Sequence, residues 1–592
     1  MISGRHELSL RRGSRVSFAT YFNAFPASYW RRWTSADSVR LSVGIDAAAT
    51  ITVYKSNARG VAQRVKFLEA DAGDHVFDLP LAPFGDGGWY WFELQAGKSV
   101  TRMRYASWSV DERHARREGR TSIGITTFNR PDYCAAQLAS FADDELLSSV
   151  VDKVYVVDQG TQLVSEKDDY VRAKEALGDR LVLVRQGNLG GSGGFSRSML
   201  ETVRAGTSDY LLLLDDDVVS EPEGIVRAAT FADFCRKPTI VGGHMFSMYD
   251  KSLLHAFGER VQPYTFLWGA APHTGSHDFG SHPLRTTPWL HRRVDVDYNG
   301  WWMCLIPVEV IKEVGLSLPV FIKWDDSEYA LRARKAGFPT VSLPGSAVWH
   351  VPWTDKDDGI DWQAYYHQRN RWLAALLHSP YPRGGALLRQ SFNVDVKHLL
   401  SLQYSAVELR LMALEDLLSG PDHLHESLGT QLGKIRSMRA EHPDALVKRT
   451  SDAFPDPVPV RLPRKGREPE PPRGRLGFVA SAAAGVLRQL RPVDARTKEV
   501  PEALVEATAA KWWRLGHVDS AVVTSADGTG ASMYVRDPEL FRSYLARSVR
   551  LHQELATRWP QLLKRYRRAM PDFVSTEQWA RTFEANTVDD DD

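Results

Sequence analysis

The sequence predicts an α/β catalytic unit built on a Rossmann-like, mainly parallel sheet, preceded by a β-sandwich and followed by a helical region. Three observations predict it. Apolar, strand-like runs at 122–128, 154–157, 181–184 and 210–214 alternate with helical stretches such as 195–205, the pattern of a parallel sheet covered on both faces. Before them, runs at 39–45, 50–55, 75–79 and 89–94 are rich in β-branched or aromatic residues. Turns such as Asp71-Ala-Gly-Asp74 and Gly85-Asp-Gly-Gly88 separate them, as in a sandwich. From about Gln363 onward, 365–377 and 395–418 carry long apolar periodicities with no strand signal.

These shifts divide the chain into a sandwich (1–115), a catalytic domain (116–362), a helical region (363–453), a Pro/Arg-rich linker (454–475) and a C-terminal helical region (476–592). The linker holds seven prolines and many charges, which suits an exposed arm. The sandwich reads equally as a carbohydrate-binding module or as a scaffold for the next domain. An Ala-rich apolar helix at 476–490 is flanked by Arg473, Arg475, Arg488 and Arg491. It suits a packed helix or oligomer contact, and it also suits an anionic membrane surface.

Charge excludes some classes of partner. Lys plus Arg is 74 and Asp plus Glu is 73, a net charge of +1, so there is no electrostatic footprint for nucleic acid. Cys134, Cys235 and Cys304 are far apart and show no metal-ligand or disulfide spacing, which favours a reducing cytosol. The first residues lack the apolar core of a signal peptide, and no run approaches the ~20 apolar residues of a membrane span. The expectation is a cytoplasmic protein, with peripheral contact at the inner face of the membrane left open.

The chemistry concentrates at the ends of strand-like runs, where parallel sheets bind ligands. Asp215-Asp216-Asp217 follows four leucines. Three adjacent carboxylates repel one another unless a cation is near, and Asp215 and Asp217 suit one hard metal ion, Mg²⁺ or Mn²⁺. An isolated Asp triplet is as readily a solvated turn; its place after a buried strand favours the metal. Asn188-Leu-Gly-Gly-Ser-Gly-Gly-Phe-Ser-Arg197 opens a helix. Its glycines let backbone N–H groups approach an anion or sugar, although the stretch lacks the Gly-Lys-Ser/Thr of a P-loop. Phe321-Ile-Lys-Trp-Asp-Asp-Ser-Glu328 is a second acidic site. Asp325 or Asp326 suits a helix N-cap. Beside Lys323 and Trp324 the pair also suits an acceptor site, where one carboxylate orients a hydroxyl and the other takes its proton. In Tyr298-Asn-Gly-Trp-Trp302 two adjacent tryptophans must face opposite sides of a strand, and one suits a sugar-stacking platform. His350, after a strand-like 340–343, is placed to complete the metal site.

Together these pieces resemble an inverting, family 2-like glycosyltransferase of GT-A fold. The stretches Asn188-Leu-Gly-Gly-Ser-Gly-Gly-Phe195, Tyr298-Asn-Gly-Trp-Trp302, Phe321-Ile-Lys-Trp-Asp-Asp326 and Asp361-Trp-Gln-Ala-Tyr365 resemble the bifunctional, polymerising galactofuranosyltransferases of mycobacterial-type arabinogalactan synthesis. The resemblance runs through the catalytic domain and the first helices after it, extends to the N-terminal β-domain and fades past about Asp452.

It implies that Asp215, Asp217 and His350 bind the metal, and that Phe128, Arg130, Gln159, Asn188 and Asp216 hold the uridine diphosphate. It implies that Trp301, Trp302, Lys323, Trp324, Asp325, Glu328 and His367 line the sugar and acceptor sites under Trp268. Asp326 is the implied general base. The implied reaction moves galactofuranose from UDP-galactofuranose to a lipid-linked galactan, alternating β-(1→5) and β-(1→6) linkages, in a homo-oligomer. A rhamnosyl- or galactopyranosyltransferase is the nearest rival. A non-catalytic sugar-binding scaffold is the other, and the complete set Asp215, Asp217, Asp325, Asp326 and His350 argues against it.

Overall fold

In the computed structural model, which describes residues 2, 4–142, 144–353, 357–459 and 470–588, alternation of apolar residues builds the N-terminal domain. Ser38–Ile45 and Ala49–Ser56 bury every second side chain along most of their length, the period-2 signature of a strand with one face in the core. They are central strands of two four-stranded antiparallel sheets. One runs Leu8–Leu10, Thr101–Ser109, Ser38–Ile45, Gly73–Pro80; the other runs Arg15–Ser17, Tyr90–Ala96, Ala49–Ser56, Ala62–Ala70. Leu41, Val43, Ile51, Val53, Phe92 and Leu94 lie in one apolar cluster, and that cluster continues into Ile123, Leu212 and Leu214 of the next domain.

The catalytic domain is built on a ten-stranded sheet. Leu181–Arg185, Val151–Asp158, Thr121–Thr127 and Tyr210–Asp215 are neighbours and run parallel. Their run of buried Val, Ile and Leu is what a sheet covered on both faces requires. The sheet is mixed beyond them. Met303–Pro307 runs antiparallel to both Tyr210–Asp215 and Ile240–Ser247, and Thr340–His350 runs parallel to Ile240–Ser247. The sequence reading had not assigned Ile240–Ser247 or Met303–Pro307 as strands. Both are fully buried, so neither shows the alternation that marks a half-exposed strand.

Behind the sheet stand Gln363–His378, Leu387–Leu400, Tyr404–Ser419 and the 36-residue Pro538–Phe573. The long helix buries Phe541, Tyr544, Ser548, Leu551, His552, Leu555, Trp559, Leu562, Tyr566 and Phe573, one stripe at helical spacing. The C-terminal region is not wholly helical, as the sequence had suggested. Ala503–Val505, Ser520–Thr524 and Ala531–Val535 form a three-stranded sheet. The loop between the last two turns through Asp527-Gly528, where Gly528 N donates to the Ser525 carbonyl at 3.0 Å and Gly528 takes φ +72°, a left-handed position that suits glycine. Residues 460–469 of the proline-rich stretch lie outside the described residues. Among the described residues no helix is long and apolar enough to cross a membrane.

A buried ion pair pins the helical layer. Asp395, fully buried, accepts from Arg410 Nε at 2.6 Å and from Ser548 Oγ at 2.7 Å. It thereby joins three helices. Removing one partner of such a pair leaves an uncompensated charge, at a cost of about 3–5 kcal/mol. Asp395→Ala should lower the thermal midpoint by roughly 10 °C, and Asp395→Leu combined with Arg410→Met should restore most of it. Calorimetry checks this; an unchanged midpoint in the single variant would refute it.

Candidate active site

The carboxyl edge of the parallel strands gathers the acidic motifs. Asp215 ends the central strand, and the chain turns through Asp216 and Asp217 into Val218–Ser220. That short strand pairs antiparallel with the end of Thr340–His350, with Val218 opposite His350. The register therefore delivers His350 to the acidic turn from a strand more than 120 residues away. His350 Nε2 lies 3.1 Å from Asp217 Oδ1 and 3.4 Å from Asp215 Oδ2. One ligand atom from each of the three residues lies within 4.8 Å of the other two. The donor set of two carboxylates and an imidazole fits a hard or borderline divalent cation.

The other imidazole nitrogen supports this fit. His350 Nδ1 is 2.5 Å from the Val351 carbonyl, which can only accept, so Nδ1 carries a proton and Nε2 is the nitrogen turned to the carboxylates. Burial alone would discharge the ring, but Asp215 and Asp217 outweigh it and hold its pKa up to about 10. Arg130 adds a second cation by binding Asp217. Asp216 is pushed up to about 7 by burial and by the charges of Asp217 and Asp215. The turn thus carries more negative charge than its own side chains neutralise.

The glycine-rich stretch forms the start of a 16-residue helix, Gly190–Ala205. Gly190 sits at φ +69°, and a Cβ there would lie 2.2 Å from the Phe321 carbonyl, so only glycine fits. Gln159 fixes the loop: its Nε2 donates to the Gly190 carbonyl at 3.1 Å, and its Oε1 accepts from Leu189 N at 2.9 Å and Gln186 Nε2 at 3.1 Å. Asn188 Oδ1 accepts from Gly190 N at 3.0 Å. The positive end of a helix suits a diphosphate, although Gly190 N is spent on Asn188 and Ser192 N on the Phe321 carbonyl at 3.1 Å. Phe128 is an exposed ring beside Asn129, whose side chain accepts from Thr161 N and Gln162 N.

Against this helix lies the second acidic site. Phe321, Lys323 and Trp324 all have φ near +70°, a left-handed conformation that costs each about 1–3 kcal/mol. Asn370 over-determines it, donating from Nδ2 to the carbonyls of Val320, Ile322 and Lys323 at 3.1, 2.8 and 2.9 Å. Lys323 Nζ is tied to Asp358 Oδ2 at 2.5 Å, and Gln363 bridges Asp358 and Asp361. The strained turn launches the helix Asp325–Lys335 with Asp325 and Asp326 half-buried at its start. A Cβ on Gly191 would lie 3.6 Å from Asp325 Oδ2, so the pair abuts the glycine-rich helix. Burial raises Asp325 to about 6, and the Asp215 charge adds to this. Burial, Asp325 and then Glu259 raise Asp326 well above the carboxylate range.

Three family descriptions match successive parts of the chain: galactofuranosyltransferase 2 N-terminal (residues 1–111), glycosyltransferase like family 2 (119–375) and galactofuranosyltransferase-2, domain 3 (387–585). The last continues well past Asp452, where the sequence resemblance had faded. Galactofuranosyltransferase GlfT2 of Mycolicibacterium smegmatis is 41% identical over 586 residues, 97% of this chain and 90% of that protein. Its namesake from Mycobacterium tuberculosis is 40% identical over 590 residues, 97% of this chain and 91% of that protein. The chain belongs to the galactofuranosyltransferase 2 family. It is a glycosyltransferase of GT-A fold.

The remaining residues divide between the cleft of this galactofuranosyltransferase and its core. Trp268 is 37% exposed on the hairpin Glu259–Gln262/Leu267–Ala270, and its ring is near-parallel to His367 at 6.2 Å. Burial and then Lys323 lower the His367 pKa to about 4, so the ring is neutral. Trp324 is buried and stacks on Phe266. Trp301 and Trp302 fall in different apolar clusters, as opposite-facing neighbours must. Both are buried: Trp301 packs edge-on to Phe195 and Tyr329. Trp302 folds over Gly300, where a Cβ would lie 2.0 Å from its ring, and donates to the Gly243 carbonyl at 2.8 Å. Glu328 is turned away from the cleft. Burial opposes its charge, but Arg332 and His378 hold its carboxyl down to about 2.

Two residues of the cleft escaped the sequence reading. Glu259, on the hairpin, accepts from the Tyr298 hydroxyl and faces Asp326. Trp353, 37% exposed, stands edge-on to His350 at 6.1 Å and near Trp302 at 5.8 Å. Trp353 was visible in the Trp-His-Val-Pro-Trp run; no local signal marks Glu259.

Asp217→Ala should weaken Mn²⁺ binding at least tenfold and abolish most turnover, since it removes one of three ligands and frees Arg130. Titration calorimetry with Mn²⁺ and chelator sensitivity of turnover check it. Near-normal, chelator-sensitive activity in the variant would exclude Asp217 as a ligand.

Proposed function

We propose that the protein transfers galactofuranose from UDP-galactofuranose to a growing lipid-linked galactan. The observation that carries the reading is the half-buried Asp325–Asp326 pair held by a strained turn against the glycine-rich helix and facing the Asp215, Asp217, His350 triad. Asp215, Asp217 and His350 would hold a divalent metal, Mn²⁺ or Mg²⁺; when bound it offsets the charge that develops on the departing diphosphate. The chain's own groups do the rest. The positive end of the helix Gly190–Ala205 faces the diphosphate, with Asn188, Arg130 and Phe128 beside it. Asp325 orients the donor or acceptor hydroxyls, and Asp326 takes the proton of the attacking hydroxyl in a single in-line displacement. Trp268 and Trp353 wall the acceptor path.

The pair's raised affinity for protons sets the pH response. A general base acts only when deprotonated, so turnover falls as pH drops through the raised value. The acid limb therefore lies above the ordinary carboxylate range. Asp325→Asn removes a neighbouring negative charge, lowers the Asp326 pKa and moves that limb to lower pH. Asp326→Asn should reduce kcat by about 10²–10⁴ while UDP affinity stays within threefold. Because the fold holds one such pair, both β-(1→5) and β-(1→6) transfer should fall together, with acceptor pose selecting the hydroxyl. Mass spectrometry of products from acceptors ending in each linkage checks this. Loss of only one linkage would require a second base, and a panel of UDP sugars tests the choice of donor.

We also propose that the helix Gly474–Gln489 rests on an anionic membrane near the lipid-linked acceptor. Leu476, Phe478, Val479 and Leu487 are exposed along it, Leu476 at 88%. Arg473 and Arg475 stand at its start, while Arg488 is engaged by Asp519 at 2.6 Å. The opposite side seats on the helical layer through Gly485 and the fully buried Gln489. Replacing Leu476, Val479 and Leu487 by Ser should abolish co-flotation with phosphatidylglycerol vesicles at unchanged melting temperature. Undiminished flotation would rule this helix out, and a fall in oligomer mass would assign the face to a second copy instead.

A further inference from the structure

The last described residues run back across the molecule to the active site. The long helix Pro538–Phe573 ends, and Val574 accepts through its carbonyl from Leu316 N at 2.8 Å. Gly315 permits this contact: at φ +81°, a Cβ there would lie 2.6 Å from the Val574 oxygen. The next helix, Thr576–Glu584, buries Trp579 completely, and its Nε1 donates to the Ser317 carbonyl at 2.9 Å. Residues 316–317 lead directly into the strained turn at Phe321–Trp324. This end of the clasp grips the approach to the base pair.

Its other end grips the glycine-rich loop. Gly187 N donates to the Asn586 carbonyl at 2.8 Å, one residue before Asn188. Asn586 is seated between two glycines: a Cβ on Gly187 would lie 3.2 Å from its carbonyl, and a Cβ on Gly429 would lie 2.4 Å from its Oδ1. Asn586 Nδ2 donates to the Thr582 carbonyl at 2.8 Å, which holds the terminus against its own helix. Arg197, on the glycine-rich helix, lies over the Phe583 ring at 5.2 Å. Leu189, Phe321, Trp579 and Phe583 belong to one buried cluster. His425 locks the segment from behind: its Nε2 reaches the Phe573 carbonyl at 3.0 Å and its Nδ1 the Thr582 hydroxyl at 2.8 Å.

We propose that residues 574–586 are a positioning clasp that holds the glycine-rich loop and the base-bearing turn in one register. The two loops also meet directly, through Ser192 N to the Phe321 carbonyl at 3.1 Å and the close approach of Gly190 to the same carbonyl. The clasp touches neither substrate; it fixes the separation between the diphosphate cradle and the carboxylate that takes the acceptor proton. Misplacement of reacting groups by about 1 Å can cost 10²-fold in rate, so loosening the Asn586 end acts on donor affinity and loosening the Trp579 end acts on turnover. The inference rests on the reading that the loop after Gly187 receives the donor diphosphate.

The test compares five proteins: full-length enzyme, a chain ending at Val588, a chain ending at Ala585, Trp579→Phe and Asn188→Ala. Each is measured for UDP affinity, donor KM, kcat and amide exchange over 186–192 and 315–322. The chain ending at Val588 keeps Asn586 and should match full-length enzyme. The chain ending at Ala585 should raise donor KM about tenfold and speed exchange at 187–190, with exchange elsewhere unchanged. Trp579→Phe keeps the packing and loses the bond to Ser317. It should lower kcat several-fold, speed exchange at 315–322 and move donor KM little. It decides the matter if the shortened chain does not fold.

Wild-type KM and exchange in both clasp variants would overturn the proposal. Unchanged UDP affinity in Asn188→Ala would instead overturn the donor-loop reading, and local exchange and kcat would then judge the clasp.

Discussion

Confined negative charge is the constraint on which the rest of this structure depends. Asp215, Asp216, Asp217, Asp325, Asp326 and Glu259 converge on one cleft, and several are raised in pKa by burial and by one another. Like charges so close cannot all ionise without compensation. The two sides of the cleft meet this differently. At the metal triad, cations do so: His350 is held protonated between two carboxylates, and Arg130 binds Asp217. At Asp325 and Asp326 protons do so, since burial and neighbouring charge raise both.

The cost of gathering these groups is carried by parts of the chain that hold no chemistry. Phe321, Lys323 and Trp324, left-handed on either side of Ile322, would relax if unsupported. Asn370 spends its side-chain donors on three carbonyls of that turn, and Arg369 adds a bond to Val320. Both come from Gln363–His378, which is pinned in turn by the helices behind it. The helical region is thus the buttress of the base pair, which explains why a helix with a weak amphipathic pattern is buried on nearly every side.

Much of the site was legible in the sequence because its chemistry is local. Asp215-Asp216-Asp217 after four leucines announced a charged turn at a buried strand end, and Trp-Asp-Asp announced the second acidic site at a helix start. What was not legible depends on register. Nothing near Glu259 says that a hairpin turns it toward Asp326. Nothing near Glu328 says that Arg332, His378 and full burial withdraw it from the cleft. The paired tryptophans were expected to face apart, and they do, but sequence could not tell that both faces are covered. Fully buried strands such as Met303–Pro307 were missed because burial on both sides erases alternation. The small C-terminal sheet was missed although its Asp527-Gly528 turn was present, because helical periodicity on either side dominated the window.

The N-terminal sandwich packs closely on the catalytic domain. A detachable carbohydrate-binding module would meet the catalytic domain through a small polar seam. Here the seam joins buried polar contacts to a shared apolar cluster. Tyr21 Oη lies 2.6 Å from His244 Nδ1, Trp89 Nε1 donates to the Leu290 carbonyl at 3.0 Å, and buried Glu93 is bridged by Arg285 at 2.7 Å. One apolar cluster runs through both domains without a break. His244 lies on Ile240–Ser247, the strand whose parallel partner delivers His350 to the metal triad. Loosening the sandwich would expose that strand pair and let His350 drift. The sandwich is therefore tied directly to the strand pair that positions His350.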